Sequence, residues 1–385
     1  MLLLEHDAKC LLASHSIPVP DGVLVGKNAP TPTPSVALPW MVKAQVPVGG
    51  RGKAGAIKKV TVAADLSPSL NEVMGLRVRG QDVNECLVEQ AITAAHEHYV
   101  SFSIDPTGAG VTIILSSEGG VEIEDLPPEK LAVGHVALSQ GALKTEITRL
   151  AATLQTDIRE TIKDAAEKLA EVFLSSDLTL LEINPLLSQA DGSWVAADAK
   201  IIFDESALSR QPFMENRLTT RKDAYPADAF KRAEGFDFII LDPLGEVGLI
   251  TTGAGLTMQV VDELAAENIT AYNFCDIRSG MMRGDPTRLI RVLSDFAEES
   301  RIKAILVNIF AGITNLGEFA NLLIEAAQTA KGLSVPIVTR LVGNGANKAA
   351  DILNASDLPF LVENDLDAAI AKVAALSRGS GGSND

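Results

Sequence analysis

Val42-Lys43-Ala44-Gln45-Val46-Pro47-Val48-Gly49-Gly50-Arg51-Gly52-Lys53-Ala54-Gly55 sets a lysine on a strand just ahead of a cationic, glycine-rich turn. Trp40 to Val46 alternates as a strand, and Ile57 to Val62 pairs back after the glycines. The turn therefore joins two β segments. It is not a Walker P-loop, because no Gly-Lys-Ser/Thr opens a helix. A glycine-rich hairpin can still bring backbone N–H groups against phosphate oxygens, and Arg51 and Lys53 add charge. Lys43 stands within reach of the same phosphates. A mobile surface hairpin is the competing reading of this segment alone.

A second segment lies far along the chain. It is Leu181-Glu182-Ile183-Asn184-Pro185-Leu186, followed by Asp198 and Lys200. Leu178 to Leu187 and Ser193 to Ile202 read as a hairpin around Ala190-Asp191-Gly192. Strand alternation puts Glu182 and Asn184 on one face and Ile183 on the other. A three-residue loop at 190–192 places Asn184 opposite Asp198; a two-residue turn would shift the register by one. In the first register an amide and a carboxylate oxygen converge, a hard pair of the kind Mg²⁺ takes beside substrate phosphates. Two solvated polar residues are the competing reading. Glu89, at the end of the apolar strand Cys86-Leu87-Val88-Glu89, can accept from a ribose hydroxyl. Glu97 follows at a distance that suits the same cleft, although either residue also reads as a surface acid. Together the two segments imply a nucleotide-dependent ligase.

Composition narrows the class. The 385 residues suffice for two or three domains, and 46% hydrophobic content argues against disorder. The formal charge of −17, from 33 Lys and Arg against 50 Asp and Glu, argues against binding a nucleic-acid backbone. No apolar run reaches the length of a bilayer span, so no membrane is expected. Early acids and the lack of a cleavage pattern give no signal peptide at the start. Cys10, Cys86 and Cys275 are few, odd in number and widely spaced. That implies a reducing compartment without a disulfide framework, with Cys10 and Cys86 in the core. The expected location is the cytoplasm, or the mitochondrial matrix if a transit peptide has been removed.

Asp7 to Ser16 reads as a helix, and residues 156 to 174 as an amphipathic one through Ile158, Ile162, Ala165, Leu169 and Val172. From Phe236 onward, apolar strands at Phe238–Leu241, Val247–Thr251, Ala271–Phe274, Ala304–Asn308, Ile337–Leu341 and Phe360–Val362 alternate with helices. This is the βαβ pattern of an α/β, doubly wound parallel sheet, whose ligands bind at the strands' carboxyl ends. Those ends carry Gly253-Ala254-Gly255, Cys275-Asp276-Ile277-Arg278, Ala311-Gly312-Ile313-Thr314-Asn315 and Gly343-Asn344-Gly345. The boundary is placed near 235, giving domains 1–235 and 236–385. The glycine- and serine-rich tail after Arg378 is expected to fray.

These residues are similar to a known family. Lys-x-Gln-x-x-x-Gly-Gly-Arg-Gly-Lys-Ala-Gly, Glu-Ile-Asn-Pro-Leu and Asn-Ile-Phe-x-Gly-Ile resemble, in sequence and order, the β subunit of succinyl-CoA synthetase, an ATP-grasp acid–CoA ligase. The resemblance runs from Glu5-His6-Asp7-Ala8-Lys9 through Gly119-Gly120-Val121-Glu122-Ile123-Glu124 to Val335-Pro336-Ile337-Val338-Thr339-Arg340. It implies an ATP-grasp domain followed by a flavodoxin-like CoA-ligase domain. Lys43 and the backbone of Gly50, Arg51 and Gly52 would hold the phosphates of ATP or GTP. Glu89 and Glu97 would sit at the nucleoside and phosphate side, and Asn184 and Asp198 would ligate Mg²⁺. Glu182 would orient a visiting phosphohistidine. Gly253, Gly312 and Ile313 would line the acid and phosphohistidine site, with a helix starting near Thr314 aimed at the phosphate.

The family chemistry needs a histidine in a glycine-rich loop, and His6, His15, His96, His98 and His135 are not so placed. The resemblance implies a partner α subunit carrying the phosphohistidine and the main coenzyme A site. Four departures from the family, covering five positions, stand out. Thr252 stands for a substrate-contacting Asn, Ala311 for the first Gly of a Gly-Gly-Ile turn, Arg278-Ser279 for two glycines, and Pro47 for a histidine. Thr314-Asn315 is closer to the loop of ATP-citrate lyase. The substrate is therefore a small carboxylic acid, with succinate the lead and a larger or hydroxylated acid such as citrate or malate the alternative. Arg278 is expected to pair with a second substrate carboxylate or to fill the space that two glycines leave open. A regulatory subunit that binds nucleotide without catalysis is the rival from another class.

Overall fold

The computed structural model describes the whole chain except residues 122, 124, 125, 155, 156, 283 and 380–385. Glu122, Glu124, Thr156 and the tail beyond Gly379 therefore lie outside the described residues. The chain divides into two compact units, Met1–Arg217 and Leu218–Asp385. The division falls inside helix α5 (Pro212–Thr220).

The first unit contains two antiparallel sheets. One has the order β1-β6-β2-β3, from β1 (Gly22–Gly26), β6 (Glu85–Gln90), β2 (Trp40–Ala44) and β3 (Ile57–Val60). Val42, Val88 and Val60 pack there with Leu70 and Val73 of α2 (Leu66–Met74). Lys43 lies opposite Ile57, so the glycine turn does join paired strands. A small hairpin, β4 (Arg77–Val78) with β5 (Gln81–Asp82), follows.

The second sheet has the order β11-β10-β7-β8-β9. It is built from β7 (His96–Asp105), β8 (Gly110–Ser116), β9 (Leu131–Val136), β10 (Leu178–Ser188) and β11 (Trp194–Ala196), with β12 (Ala199–Phe203) also paired to β10. Three helices cover it: α1 (Glu5–Ser14), α3 (Gln140–Thr153) and α4 (Arg159–Ser175). Helix α4 buries Ile162, Ala165, Leu169 and Val172, the face that its spacing predicts. Helix α1 is tied down from its start: the N–H of Leu3 donates to the carbonyl of Ile201 at 2.9 Å. Leu11 and Leu12 then enter the core.

The long hairpin follows the expected register. The Gln189 N–H donates to the Ser193 carbonyl at 2.9 Å and closes the loop at 190–192. Leu186 faces Ala196 and Ile183 faces Ala199, so Asn184 lies across from Asp198. On the other side of β10 the pairing with β7 shifts between Ile183 and Leu186, a bulge at Asn184–Pro185.

The second unit is a six-stranded sheet of order β13-β15-β14-β16-β17-β18. Its strands are β13 (Asp237–Ile240), β14 (Val247–Thr251), β15 (Asn273–Asp276), β16 (Ala304–Ala311), β17 (Ile337–Gly343) and β18 (Phe360–Val362). The last five are parallel, whereas β13 is an antiparallel edge strand on β15. Residues 241–246, which link β13 to β14, are too few to carry the chain back along the sheet for a parallel run, so β13 opposes β14 and, seated on β15, opposes that strand as well. The parallel strands, in chain order, stand 2-1-3-4-5, the flavodoxin-like arrangement. Its helices are α6 (Pro226–Glu234), α7 (Ala254–Ala266), α8 (Thr287–Glu298), α9 (Leu316–Thr329), α10 (Ala346–Asn354) and α11 (Leu366–Gly379). Val247, Leu249 and Leu306 pack on the side of α7 and α11, and Ile250, Ile305 and Val307 on that of α8 and α9. Among the described residues no helix is long and apolar enough to cross a membrane.

Candidate active site

Strand β2 turns Lys43 away from the α2 side, and the side chain is buried. Its Nζ lies 2.9 Å from Glu5 Oε1, 2.8 Å from Glu89 Oε1 and 2.8 Å from the Ala197 carbonyl. Lys9 Nζ meets the same three groups, at 2.7 Å from Glu5 Oε1, 2.6 Å from Glu89 Oε2 and 2.7 Å from the Ala197 carbonyl. Arg51, from the glycine turn, donates to Glu5 Oε2 at 2.5 Å and to both oxygens of Asp198 at 3.0 Å. Burial alone would raise the Glu5 carboxyl, but Lys43, Lys9 and Arg51 hold it well below the usual carboxylate range. Burial alone would lower Lys43, yet Glu5, Glu89 and Asp198 push its ammonium above the ordinary lysine value. Desolvation without these partners would neutralise such groups.

Four of the predicted residues, Lys43, Arg51, Glu89 and Asp198, are thus brought into one network. Gly50 has φ +79°, in the left-handed region, and a Cβ there would also meet the Arg79 guanidinium at 3.1 Å. Gly52 is exposed. Glu97 and Asn184 form a separate group around the turn at Gly119–Gly120. The Gly120 N–H donates to Asn184 Oδ1 at 2.7 Å, and Asn184 Nδ2 donates to the Val121 carbonyl at 2.9 Å. A Cβ on Gly120 would clash with Glu97 Oε2, so that carboxylate abuts the turn. Glu182 faces Lys200 across the ladder, with Oε2 3.7 Å from Nζ.

The register therefore sets Asn184 opposite Asp198 as expected, but their oxygens turn to different partners. The bulge in β10 directs the amide to the glycine turn, and Arg51 takes both carboxylate oxygens. Among the described residues no group of three or more His, Cys, Asp or Glu side chains is arranged around a metal position. An amide and a carboxylate across one ladder still supply the hard oxygen donors that suit Mg²⁺ beside phosphates.

Glu5 and Lys9 were not singled out by chemistry in the sequence. The available signal is an opposite-charge pair four residues apart on a helix otherwise turned to the core. Cys10 is only half-buried, whereas Cys86 and Cys275 are buried. His98 is buried, with its ring nitrogens 3.1 Å from the Ser117 carbonyl and 2.7 Å from Ser188 Oγ.

In the second unit, the switch point of the sheet lies between β14 and β16, where strand order reverses. Thr252, Gly253, Gly312, Ile313 and Thr314 follow those two strands. Gly253 has φ +84°, a turn that opens α7. Asp276 Oδ1 accepts from the N–H groups of Gly253 at 3.0 Å and of Arg278 at 3.1 Å, joining two turns. Thr252 Oγ1, Ser279 Oγ and Thr314 Oγ1 form a chain of hydroxyls with steps of 3.2 Å. Ser279 and Thr314 border a cavity of about 210 Å³ together with Met282, Glu318, Phe319 and Ile313. Ile313 is almost wholly exposed, and Ala311 is buried. Arg278 takes a left-handed φ of 51°, and its Nη2 lies 2.8 Å from Asp237 Oδ2 on the edge strand. Its guanidinium is thus paired within the protein. Helix α9 begins at Leu316, and Asn315 Oδ1 accepts from the N–H groups of Gly317 and Glu318. The cap takes up part of the N-terminal donor set expected for a phosphate.

A cationic phosphate-suited site on antiparallel sheets, joined in one chain to a flavodoxin-like sheet, defines an ATP-grasp and CoA-ligase protein. Residues 2–188 match the ATP-grasp domain family, and residues 250–374 match the CoA-ligase family. The chain belongs to the family of succinate–CoA ligase (ADP-forming) β subunits. It is 32% identical to that subunit of Bacteroides thetaiotaomicron, over 92% of this chain and 94% of that one. It is 31% identical to that of Mesorhizobium japonicum, over 97% and 99%. Two solved structures share the fold. ATP citrate lyase from Methanothrix soehngenii, in complex with citrate and coenzyme A, matches with a TM-score of 0.70 and 18% identity over 98% of this chain and 99% of that chain. The D541A mutant of the Methanosaeta concilii enzyme, in complex with (3S)-citryl-CoA, matches with a TM-score of 0.69 and 17% identity over 96% and 98%.

Proposed function

We propose that this chain is the nucleotide-binding subunit of an ADP-forming acid–CoA ligase. The reaction converts a carboxylate, ATP and coenzyme A to an acyl-CoA, ADP and phosphate, through a phosphohistidine on a partner α subunit that also holds most of the coenzyme A. The observation that carries this is the convergence of Lys43, Arg51, Glu89 and Asp198, from three separate stretches of the chain, on one largely buried ion network. Residues 1–235 are assigned the nucleotide and 236–385 the acid and thioester chemistry. The location is the cytoplasm, or the mitochondrial matrix after removal of a transit peptide.

Lys43 and Arg51, with the Gly50–Gly52 backbone, bind the phosphates of ATP, or of GTP as the alternate nucleotide. Two fixed cations lower the cost of charge build-up on a transferring phosphoryl group. Glu89 and Glu97 are assigned to the nucleoside and phosphate side, Glu89 acting through Lys43 and Lys9, which take its two oxygens, and Glu97 from the turn at Gly119–Gly120. Asn184 and Asp198 are the residues that would hold Mg²⁺, which when bound supplies further charge neutralisation at the phosphates. Glu182 orients the visiting phosphohistidine. The nucleophile comes from the partner: His98 is buried with both ring nitrogens engaged, and burial lowers its pKa. The other histidines lie outside the glycine turns.

The acid binds at the turns around Thr252, Gly253, Gly312, Ile313 and Thr314, with Ala311 beneath; Arg278 is tied to Asp237 and makes no contact with the acid. Succinate is the lead. The hydroxyl chain Thr252–Ser279–Thr314 favours a second reading, activation of a hydroxylated acid, because it offers donors and acceptors to a substrate hydroxyl. The test is ADP release by the chain with an α subunit of this family, ATP, coenzyme A and, in turn, succinate, malate, citrate and a monocarboxylate. Release that needs both acid and coenzyme A supports the assignment. No acid-dependent release with any of the four would overturn it.

A further inference from the structure

We propose that Lys9 is a positioning residue for the phosphate lysine Lys43, acting as a spare counter-ion that lets Lys43 leave its buried partners for a nucleotide phosphate. The proposal rests on the nucleotide-site reading above. An ammonium has three N–H donors. Those of Lys43 are all committed, to Glu5 Oε1, Glu89 Oε1 and the Ala197 carbonyl. A lysine that turns to a phosphate must give up at least one of them. Normally that would strand a buried carboxylate, which is costly. Here it does not. Lys9 already reaches Glu5 Oε1, Glu89 Oε2 and the Ala197 carbonyl, each within 2.7 Å.

The two lysines come from different elements, α1 and β2, and meet the same three acceptors. Arg51 holds the second oxygen of Glu5 at 2.5 Å, so that carboxylate stays paired as well. Lys9 itself is buried and anchored by a helix that packs on β12. It keeps the acceptors satisfied while Lys43 moves. Without Lys9, Lys43 becomes the sole cation on Glu89 and is retained there.

The experiment measures Kd by calorimetry on the full-length chain, with ATP and with adenosine as probes, for wild type, Lys9→Met and Lys9→Arg. Adenosine lacks phosphates and serves as the control that a merely structural role would not spare. Lys9→Met is expected to weaken ATP by about 10- to 100-fold, the range of one charge-assisted hydrogen bond, while adenosine is unchanged. Lys9→Arg keeps the charge but not the tetrahedral donor set, so its ATP affinity should fall between the two. Unchanged ATP affinity in Lys9→Met, or equal losses for ATP and adenosine, overturns the role of Lys9. Should Lys9→Met fail to fold, Lys9→Arg decides by the same criteria. A wild-type chain that binds ATP no better than adenosine instead overturns the nucleotide-site reading, and the Lys9 proposal with it.

Discussion

Around Lys43, three cations (Lys9, Lys43, Arg51) and three anions (Glu5, Glu89, Asp198) are linked by ion pairs into one network, each member touching at least one of opposite charge. Around Thr252, the contacts between turns are three neutral hydroxyls and one aspartate that accepts backbone N–H groups. The first site is held by charge in a buried setting, so every member needs its partners. The second is held by glycine turns at strand ends, so a side chain can change there without stranding a charge. The proposed nucleotide site should therefore respond to single substitutions by large losses. The proposed acid site should respond by changes of preference. The predictions below test that contrast.

The largest effect is all-or-none. The purified chain should bind MgATP yet form no acid-labile, base-stable phosphoenzyme until an α subunit is added. Stoichiometric ³²P labelling of the single chain would show that the nucleophile is its own. Next in size is Asp198→Asn. An amide cannot replace the charge that faces Arg51, nor the carboxylate offered to Mg²⁺. Turnover with the partner should fall about 10²- to 10³-fold, comparable to loss of one transition-state contact, while the circular-dichroism melt is preserved. Near-normal turnover in a folded variant would remove Asp198 from the metal assignment.

Glu5→Gln probes the hub of the network. Removing one partner of a buried ion pair costs about 3–5 kcal/mol, read as a drop in denaturant midpoint. The sign with pH is specific. The Glu5 carboxyl is held below its ordinary value, so its contribution is present above that value and lost as pH falls through the folded one. Wild type should lose stability on acidification below about pH 4 more steeply than Glu5→Gln. Parallel acid limbs would mean that Glu5 is not the titrating member.

At the acid site, Ser279→Gly should shift the relative kcat/KM of succinate, malate, citrate and a monocarboxylate by up to about tenfold, the worth of one neutral hydrogen bond. Arg278→Gly should leave those ratios alone, because its guanidinium is spent on Asp237. Its stability should be nearly unchanged: an exposed ion pair is worth at most about 1 kcal/mol, and glycine relieves the left-handed φ. A preference change in Arg278→Gly without one in Ser279→Gly would reverse the assignment. The smallest effect concerns thiols. Burial pushes Cys86 up to about 12 and Cys275 higher still. A disulfide reagent should therefore modify only half-buried Cys10 in the native chain, and all three cysteines after unfolding.

Local periodicity settled much of this protein in advance. Alternation with period two and a three-residue loop were enough to set Asn184 against Asp198. Short apolar strands between helical stretches were enough for the parallel sheet and for the turns that carry Thr252, Gly253, Gly312 and Thr314. Both patterns act over a few residues, where backbone geometry leaves few choices. Tertiary structure alone decided the rest. It tied Arg278 to Asp237, turned the Asn184 amide toward Gly120 rather than Asp198, and made β13 an antiparallel edge. It also drew Lys9 of the first helix into contact with residues 80 and 188 positions away, and Glu5 of the same helix into contact with residues 38 and 46 positions away. Burial set those pairings: a charged group removed from water takes whatever opposite charge the packed chain brings near, and sequence distance carries no record of that.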